Sequence, residues 1–395
     1  MGKNISILLG AGFSAPMGYP IGNELNDLLL KSNEANFGFH TSGSLVVNTD
    51  GSKPDFGYKT SYDIEFEFCF ELMKYFKQAK GYFDYEKFYD YILDEVKGDK
   101  GVNKIAEPFL NDITDLSSLI YGLKNVYTQV VSFYLKDRDG NKYYDNLPYA
   151  IGQYFPGYSG VMKCISDFAE NFTVNIHTLN HDLFFEGFNN TDFLKGELSD
   201  GFEELGSPYY GKVDVNSRKY MVRLSRYTGN YESKFRLYKL HGSLNYEPYY
   251  RTEKGILIPE TYIKSGYAVG HTEHYKEKVN EEGNLEYENS WINYHSDFLT
   301  GTTSKIERYT EPLLFKKLFE LFKTNLKNAE KLIIIGYGAK DQEINNIIID
   351  HFDFNNKKTF IIDPYAGDVV KEFGVKLNAK IIKKQLENIE IKDLE

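Results

Sequence analysis

The chain has 395 residues, 46 of them Lys or Arg and 57 Asp or Glu, which gives a formal charge of −11. That balance argues against phosphate-backbone binding as the main task, because nucleic-acid binders cluster cations. No segment reaches the roughly 20 consecutive apolar residues of a membrane-spanning helix, and two cysteines, Cys69 and Cys164, are too few for a disulfide framework or a multi-cysteine zinc module. The N-terminus shows none of the features of a secretory signal, so a cytoplasmic protein is expected. The 33 Tyr and 29 Phe are spread over the whole chain and read as core.

Residues 4–10, Asn-Ile-Ser-Ile-Leu-Leu-Gly, are apolar enough for a strand buried on both faces of a parallel sheet. They run into Gly10-Ala11-Gly12-Phe13-Ser14, then Gly18-Tyr19-Pro20, and a helical spacing of Leu25, Leu28 and Leu29 follows. Strand, glycine turn and helix open many nucleotide-binding α/β folds. Residues 33–62 are polar and glycine-rich and read as a loop or lid. Residues 63–97 and 108–136 carry apolar side chains at helical spacing, such as Phe66, Phe70 and Met73, then Leu119, Leu123, Val126 and Val130. A helical insertion over 32–157 is expected.

The α/β rhythm returns near residue 160. Residues 161–172 read as a helix, and 173–177 as a strand ending in Thr178-Leu179-Asn180-His181-Asp182. Residues 235–240 form the next expected strand, ending in His241-Gly242-Ser243. Residues 247–309 are polar and read as a second, irregular insertion. An amphipathic helix is predicted over 312–328. A strand over 331–335 ends in Gly336-Tyr337-Gly338, with Asp341 close behind and a helix containing 344–349. A strand over 359–362 ends in Asp363-Pro364, and 380–383 adds one more. The expected class is α/β: a Rossmann-like parallel sheet built from 1–31, 158–246 and 310–385, with two insertions, within one domain over 1–395.

Every cluster of Gly, Asn, Asp and His follows a predicted strand. Ligands of open α/β sheets bind at the carboxyl ends of strands near a topological switch point. The clusters at 10–14, 178–182, 241–243, 336–341 and 363 are therefore expected to meet in one cleft. Each also has a plainer reading. Gly10 and Gly12 admit a phosphate close to the backbone, with amides of the following helix donating to it, or they make room for packing. His241 suits a general base near neutral pH, or a hydrogen-bonded core residue. Asn180, Asp182 and Asp341 can orient a ribose, a water or a charge, or cap helices. Asp363 before proline can start a turn. No acidic strand end lies about 20 residues past the glycine turn, where a dehydrogenase holds its ribose, and that counts against hydride transfer. His271 and His274 have no evident third ligand, so no metal is expected. The start Met1-Gly2 through Ser6 matches a myristoylation pattern, which its continuation into a strand makes a chance match.

Taken in order, these clusters resemble the sirtuin superfamily. Gly10–Ser14 with Gly18-Tyr19-Pro20 is similar to its opening cofactor-binding motif. Thr178–Asp182 resembles Thr-Gln-Asn-Ile-Asp with Leu179 in place of Gln, and Leu240-His241-Gly242-Ser243 resembles the segment that carries the catalytic histidine. Residues 335–341 and Asp363 correspond to later cofactor contacts, so about half the chain is covered. Two departures are informative. The four-cysteine zinc module of protein-deacylating sirtuins is missing, and their Asp-Phe-Arg is Ile21-Gly22-Asn23 here. These features look like the zinc-free, NAD-consuming sirtuin-like effectors of bacterial anti-phage defence, which are fused to sensors or paired with a short Argonaute or a HerA-type ATPase.

The resemblance implies NAD as substrate, cleavage of its nicotinamide–ribose bond, and abortive infection through NAD depletion. It implies gating by a homo-oligomer or by a protein partner in trans, with no direct nucleic-acid or membrane binding and no metal. Asn180, Asp182 and His241 become the catalytic residues. Gly10, Ala11, Gly12, Phe13, Ser14 and Pro20 become NAD contacts. So do Thr178, Gly242, Ser243, Gly336, Tyr337, Gly338, Asp341 and Asp363. Other readings stay open. A non-catalytic sensor of NAD or a nucleotide signal would retain ligand without turnover. An NAD-dependent deacylase is disfavoured by the missing cysteines, and a flavin or nicotinamide oxidoreductase by the missing acidic strand end.

Overall fold

A computed structural model describes residues 3–32, 37–41, 43, 45–48, 52–110, 115–135, 155, 157–215, 217–265, 274–289 and 314–395. The chain divides into two compact units. One comprises Met1–Tyr19, Asp137–Ile292 and Asp297–Glu395; the other comprises Pro20–Lys136 and Asn293–Ser296.

The first unit is built on seven strands: β1 (Asn4–Leu9), β2 (Thr173–Thr178), β3 (Leu198–Ser199), β4 (Phe235–Lys239), β5 (Ala329–Ile335), β6 (Lys358–Ile362) and β7 (Lys380–Ile382). They pair in the order β7-β6-β5-β1-β2-β4-β3, and every pairing is parallel. The fold is α/β with a Rossmann-like sheet. The unbroken apolar runs follow from burial on both faces. Ile5, Ile7, Leu9, Ile333 and Ile335 pack on one side with Val161, Met162 and Ile165 of the helix Ser159–Phe168. Leu8, Leu332 and Ile334 pack on the other with Leu318 and Phe322 of Phe315–Asn328 and Ile344 and Ile348 of Gln342–His351.

The chain leaves β1 toward β2 and β4, then returns to the opposite flank of β1 as β5 and moves outward to β6 and β7. The switch point therefore lies between β1 and β5. Register makes the strand ends level. Leu9 pairs with Thr178 and Ile335, Thr178 with Lys239, and Ile335 with Ile362. The loops carrying the expected clusters leave the sheet side by side.

The stretch expected to be irregular is ordered in its described part. Tyr246–Glu253 and Ile256–Lys264 form a ribbon continued by Ser225–Asn230 and Gly201–Glu203. A separate antiparallel sheet runs Leu285–Asn289, His274–Val279, Tyr209–Val215, Arg218–Arg223. Neither of its outer strands has a buried face: all of Leu285–Asn289 is exposed, and no residue of Arg218–Arg223 is buried. Polar cross-strand pairs support it instead, including Lys278–Glu288 at 3.2 Å and Tyr210 Oη to Glu277 at 2.9 Å.

The second unit carries the helices Gly22–Lys31, which the sequence reading assigns to the Rossmann core, Ser61–Lys80, Tyr85–Asp90, Lys100–Ala106 and Leu116–Tyr134. The last four start on side-chain caps. Thr60 Oγ1 accepts from Asp63 N at 3.2 Å, and Asp63 accepts from Thr60 N at 2.8 Å; Asp84, Asp99 and Asp115 cap the next ones. Within 33–62 the described secondary structure is a short ribbon, Gly38–Phe39 against Leu45–Val46, and the start of the helix Ser61–Lys80. Among the described residues no helix is long and apolar enough to cross a membrane.

Candidate functional site

At the switch point the loops after β1 and β5 cross in contact. Gly10 N donates to Ile335 O at 3.0 Å and Gly12 N to Gly336 O at 2.9 Å. A Cβ on Gly10 would lie 2.7 Å from the Gly336 oxygen, one on Gly12 2.8 Å from the Gly336 Cα, and one on Gly336 2.4 Å from Phe13 N. Gly336 is also left-handed, at φ +61°. Packing of one backbone against the other thus requires these glycines. The turn is not the N-terminus of an α-helix either. Residues 11–13 and 15–17 form two short 3₁₀ turns, Phe13 N and Ser14 N donate back to Gly10 O and Ala11 O, and the first α-helix starts at Gly22 in the other unit. A phosphate at this turn would lack the helix dipole that the motif suggested.

Phe13 is a core residue. Its ring is fully buried and meets Tyr158 at 5.2 Å, Phe185 at 5.8 Å and Phe184 at 5.9 Å, while Tyr158 Oη donates to the Phe13 carbonyl. Ala11 is the exposed residue of the turn, and Pro20 belongs to the other unit.

The polar corner forms one step away, after β2. Thr178 Oγ1 accepts from Asn180 N at 3.0 Å. Asn180 Nδ2 donates to Gly10 O at 3.0 Å and Ser14 Oγ at 3.1 Å, fixing the amide and leaving Oδ1 as its accepting end. Ser14 in turn bonds the Asp182 carboxylate, whose Oδ1 also accepts from Phe184 N at 3.0 Å. Burial pushes the Asp182 carboxyl up, and the Lys239 charge, the Phe184 amide and the Ser14 hydroxyl pull it down. Lys239, at the end of β4, is itself buried. Its Nζ donates to the Asp182 carbonyl and to Glu186 Oε1 at 2.9 Å. Lys239 and Glu186 were not foreseen. A cation inside the run Phe-Arg-Leu-Tyr-Lys is the signal that could have found the first.

His241 follows immediately, in a loop tied to the β2 loop by Leu240 N to Thr178 O at 2.9 Å and Leu244 N to His181 O at 3.0 Å. Gly242 takes φ +85°, which explains its identity. The His241 ring is buried, with Nε2 3.6 Å from Asp341 Oδ2. Burial lowers its pKa and the Asp341 charge raises it; the net direction is down, so the imidazole is neutral at pH 7. His181 has its ring centroid 6.2 Å away. Burial, then the charges of His241 and Lys239, push it down to about 3.

Asp341 has two tasks. Its Oδ1 caps the helix Gln342–His351, accepting from Glu343 N at 3.0 Å and Ile344 N at 3.1 Å, and its Oδ2 faces His241. Tyr337 Oη braces this loop, 3.0 Å from Asp341 O and 2.9 Å from Asn345 Oδ1, while Asn345 Nδ2 donates to Ala339 O. Gly338 is exposed, with open space where a Cβ would be. Ser243 is fully buried and donates to Asn245 Oδ1 at 2.8 Å, so it shapes its own turn. Asp363 accepts from Tyr365 N at 2.8 Å, the plain turn expected before proline.

Four of the five clusters are therefore joined by direct hydrogen bonds or, at His241 and Asp341, by a close charge contact. The fifth connects through Gly336 N to Ile362 O at 3.1 Å. Of the other histidines, His177 is a core residue stacked on Tyr238, its ring nitrogens 3.2 Å from Ile7 O and Asn325 Nδ2. His274 is buried 3.6 Å from Glu247, and His271 lies outside the described residues. Among the described residues no three His, Cys, Asp or Glu side chains are grouped to hold a metal ion.

No family model and no curated protein matches the sequence. Solved structures do. A Sir2 homologue in complex with NAD is 9% identical, covering 99% of this chain and 88% of its own at a TM-score of 0.36. A structure on the mechanism and regulation of Sir2 enzymes is 11% identical, covering 99% and 91% at 0.32. One on sirtuin substrate affinity is 12% identical, covering 95% and 93% at 0.31. At these scores the fold and the site rest on the chain's own topology and contacts.

Proposed function

We propose that the chain is an NAD glycohydrolase, cleaving the nicotinamide–ribose bond with water to give nicotinamide, ADP-ribose and a proton. The observation that supports this best is the placement of Asn180, anchored through its amide nitrogen, and a buried neutral His241 on neighbouring, hydrogen-bonded loops at level strand ends. Cleavage of a glycosidic bond develops positive charge at the anomeric carbon and needs an acceptor nearby and a placed water. Asn180 Oδ1 supplies that acceptor. His241 takes the proton from the water or from a ribose hydroxyl, and it is already in the basic form at pH 7. Asp341 Oδ2 orients the ring and stabilises the imidazolium that results.

Asp182 acts behind this pair. Its contacts to Ser14 and Phe184 support the reading that it holds Ser14, and through it Asn180, in place. Exposed Ala11 and Gly338 flank the corner and give the dinucleotide its approach. The role as an NAD-depleting effector of anti-phage defence, gated by assembly or a partner, draws on the sequence resemblance alone.

The test is nicotinamide release from NAD by the purified protein, alone and with a HerA-type ATPase or short Argonaute. His241→Ala and Asn180→Ala should each lower release by about 100-fold or more while the circular dichroism spectrum stays unchanged. Full activity in both variants sinks the assignment. Stoichiometric NAD retention without turnover favours a sensor.

A further inference from the structure

Phe235 and Leu237 of β4 pack in one cluster with Phe184, Phe185 and Phe188, and two-residue alternation turns Lys239 to the same side. An ammonium thus occupies a place that the pattern would fill with an apolar side chain. The Lys239 side chain is 0% exposed and that of Glu186 4%. Exchanging a buried ion pair for well-packed apolar residues is often neutral or stabilising, so stability alone does not account for one here. We propose that the pair is a positioning device: Lys239, seated by Glu186, fixes the direction of the hydrogen-bond relay Asn180–Ser14–Asp182 and thereby the end of Asn180 that meets the substrate. This role presupposes the part assigned to Asn180 in NAD cleavage.

Donors and acceptors set the direction of the relay. Gly10 O is a carbonyl and only accepts, so the Asn180 atom 3.0 Å from it is the amino end. The same Nδ2 donates to Ser14 Oγ at 3.1 Å. Ser14 keeps its own hydroxyl proton to place, and it bonds the Asp182 carboxylate. An ionised carboxylate only accepts, which sends the serine proton away from Asn180 and leaves Asn180 Oδ1 for the substrate. A protonated Asp182 would donate to Ser14 instead. The serine proton would then turn toward Asn180 and compete for Oδ1, the acceptor that cleavage needs.

Lys239 is held where it controls that choice. It pairs in register with Thr178, at the start of the loop bearing Asn180. Its Nζ donates to the Asp182 carbonyl and, at 2.9 Å, to Glu186 Oε1, so one side chain ties the turn 182–186 to β4. Its own carbonyl accepts from Gly242 N at 3.1 Å, in the loop of His241. The titratable groups about Asp182, among the described residues, are Tyr158 before the helix Ser159–Phe168, His181 and Glu186 on its own loop, His241 on the next, and Lys239. Burial raises Tyr158 and lowers both histidines, His181 to about 3, so all three are neutral at pH 7. Burial also pushes Asp182 toward its neutral form, and the Lys239 charge opposes this ahead of the Phe184 amide and the Ser14 hydroxyl.

Two measurements on the full chain test this. Carboxyl carbon-13 NMR of aspartate-labelled protein, assigned with Asp182→Asn, follows the Asp182 proton without needing turnover. Lys239→Met is made together with Glu186→Gln, so that no charge is left buried alone, and Glu186→Gln by itself is the control that keeps the cation. The Asp182 titration should move up by about one pH unit or more in the double variant and should not rise in the control. In nicotinamide release, the acid limb of kcat should move up with it, KM should change little, and the rate should return toward that of the control as pH rises. An unmoved Asp182 titration overturns the proposal. So does a loss of rate that is equal at every pH, which is the mark of a packing defect. A wild type that releases no nicotinamide overturns the reaction instead, and the NMR titration still decides whether Lys239 governs Asp182.

Discussion

The parallel sheet and the antiparallel sheet of residues 209–289 place their exposed backbone in different directions. Strands of the first are buried on both faces, so its free polar groups gather at the carboxyl ends, where Thr178, Lys239 and Ile335 finish level. Strands of the second end, among the described residues, in the two outer strands Leu285–Asn289 and Arg218–Arg223. The consequence for charge follows. At the strand ends, polar side chains are buried or half-buried and bond one another: Asn180 on Ser14, Ser14 on Asp182, Lys239 on Glu186. Along the described outer strands they remain at the surface, as with Glu288 and its partner Lys278.

The sharpest way to break this contrast is to remove one cation from each sheet. Lys239→Met leaves Glu186 buried without its partner and should cost about 3–5 kcal/mol. Lys278→Met removes an exposed partner of Glu288 and should cost less than about 1 kcal/mol. Urea melts of both variants would show it, and equal losses would contradict the account. A second pair compares left-handed glycines. Gly336→Ala meets Phe13 N at 2.4 Å, whereas Gly283, also left-handed at φ +82°, has nothing within 4 Å of its Cβ position. The first substitution should cost about 3 kcal/mol or more and the second about 1 kcal/mol. A smaller effect concerns His241. Asn caps a helix as well as Asp does, so Asp341→Asn should preserve stability yet remove the charge that raises the His241 pKa. His241 then loses its proton at lower pH, and the acid limb of the pH–rate profile should move down. An unmoved limb would show that Asp341 only caps.

Much of the parallel sheet was legible because its strands are continuous apolar runs: Asn4–Leu9 and Lys358–Ile362 fall within a residue of the expected spans. The strands of 209–223 and 274–289 were not, since the apolar residues of the outer strands, such as Leu285 and Tyr287, stay exposed and the runs are short and rich in charge. Within the site, the order of polar clusters after strands was readable, and so was the capping alternative for Asp341. The glycines were harder. Gly10–Gly12 and Gly336–Gly338 each read as a ligand turn by itself, and only their contact shows that Gly10, Gly12 and Gly336 exist for each other. The Lys239–Glu186 pair spans 53 residues and depends on the register of β4 against β2, which no local pattern encodes.

The most direct measurement is a quantitative product analysis of NAD incubated with the purified chain and its activating partner, with His241→Ala alongside. The account predicts nicotinamide and ADP-ribose in equal amounts from the wild type, and intact NAD, still bound, with the variant. Intact NAD from both would contradict it.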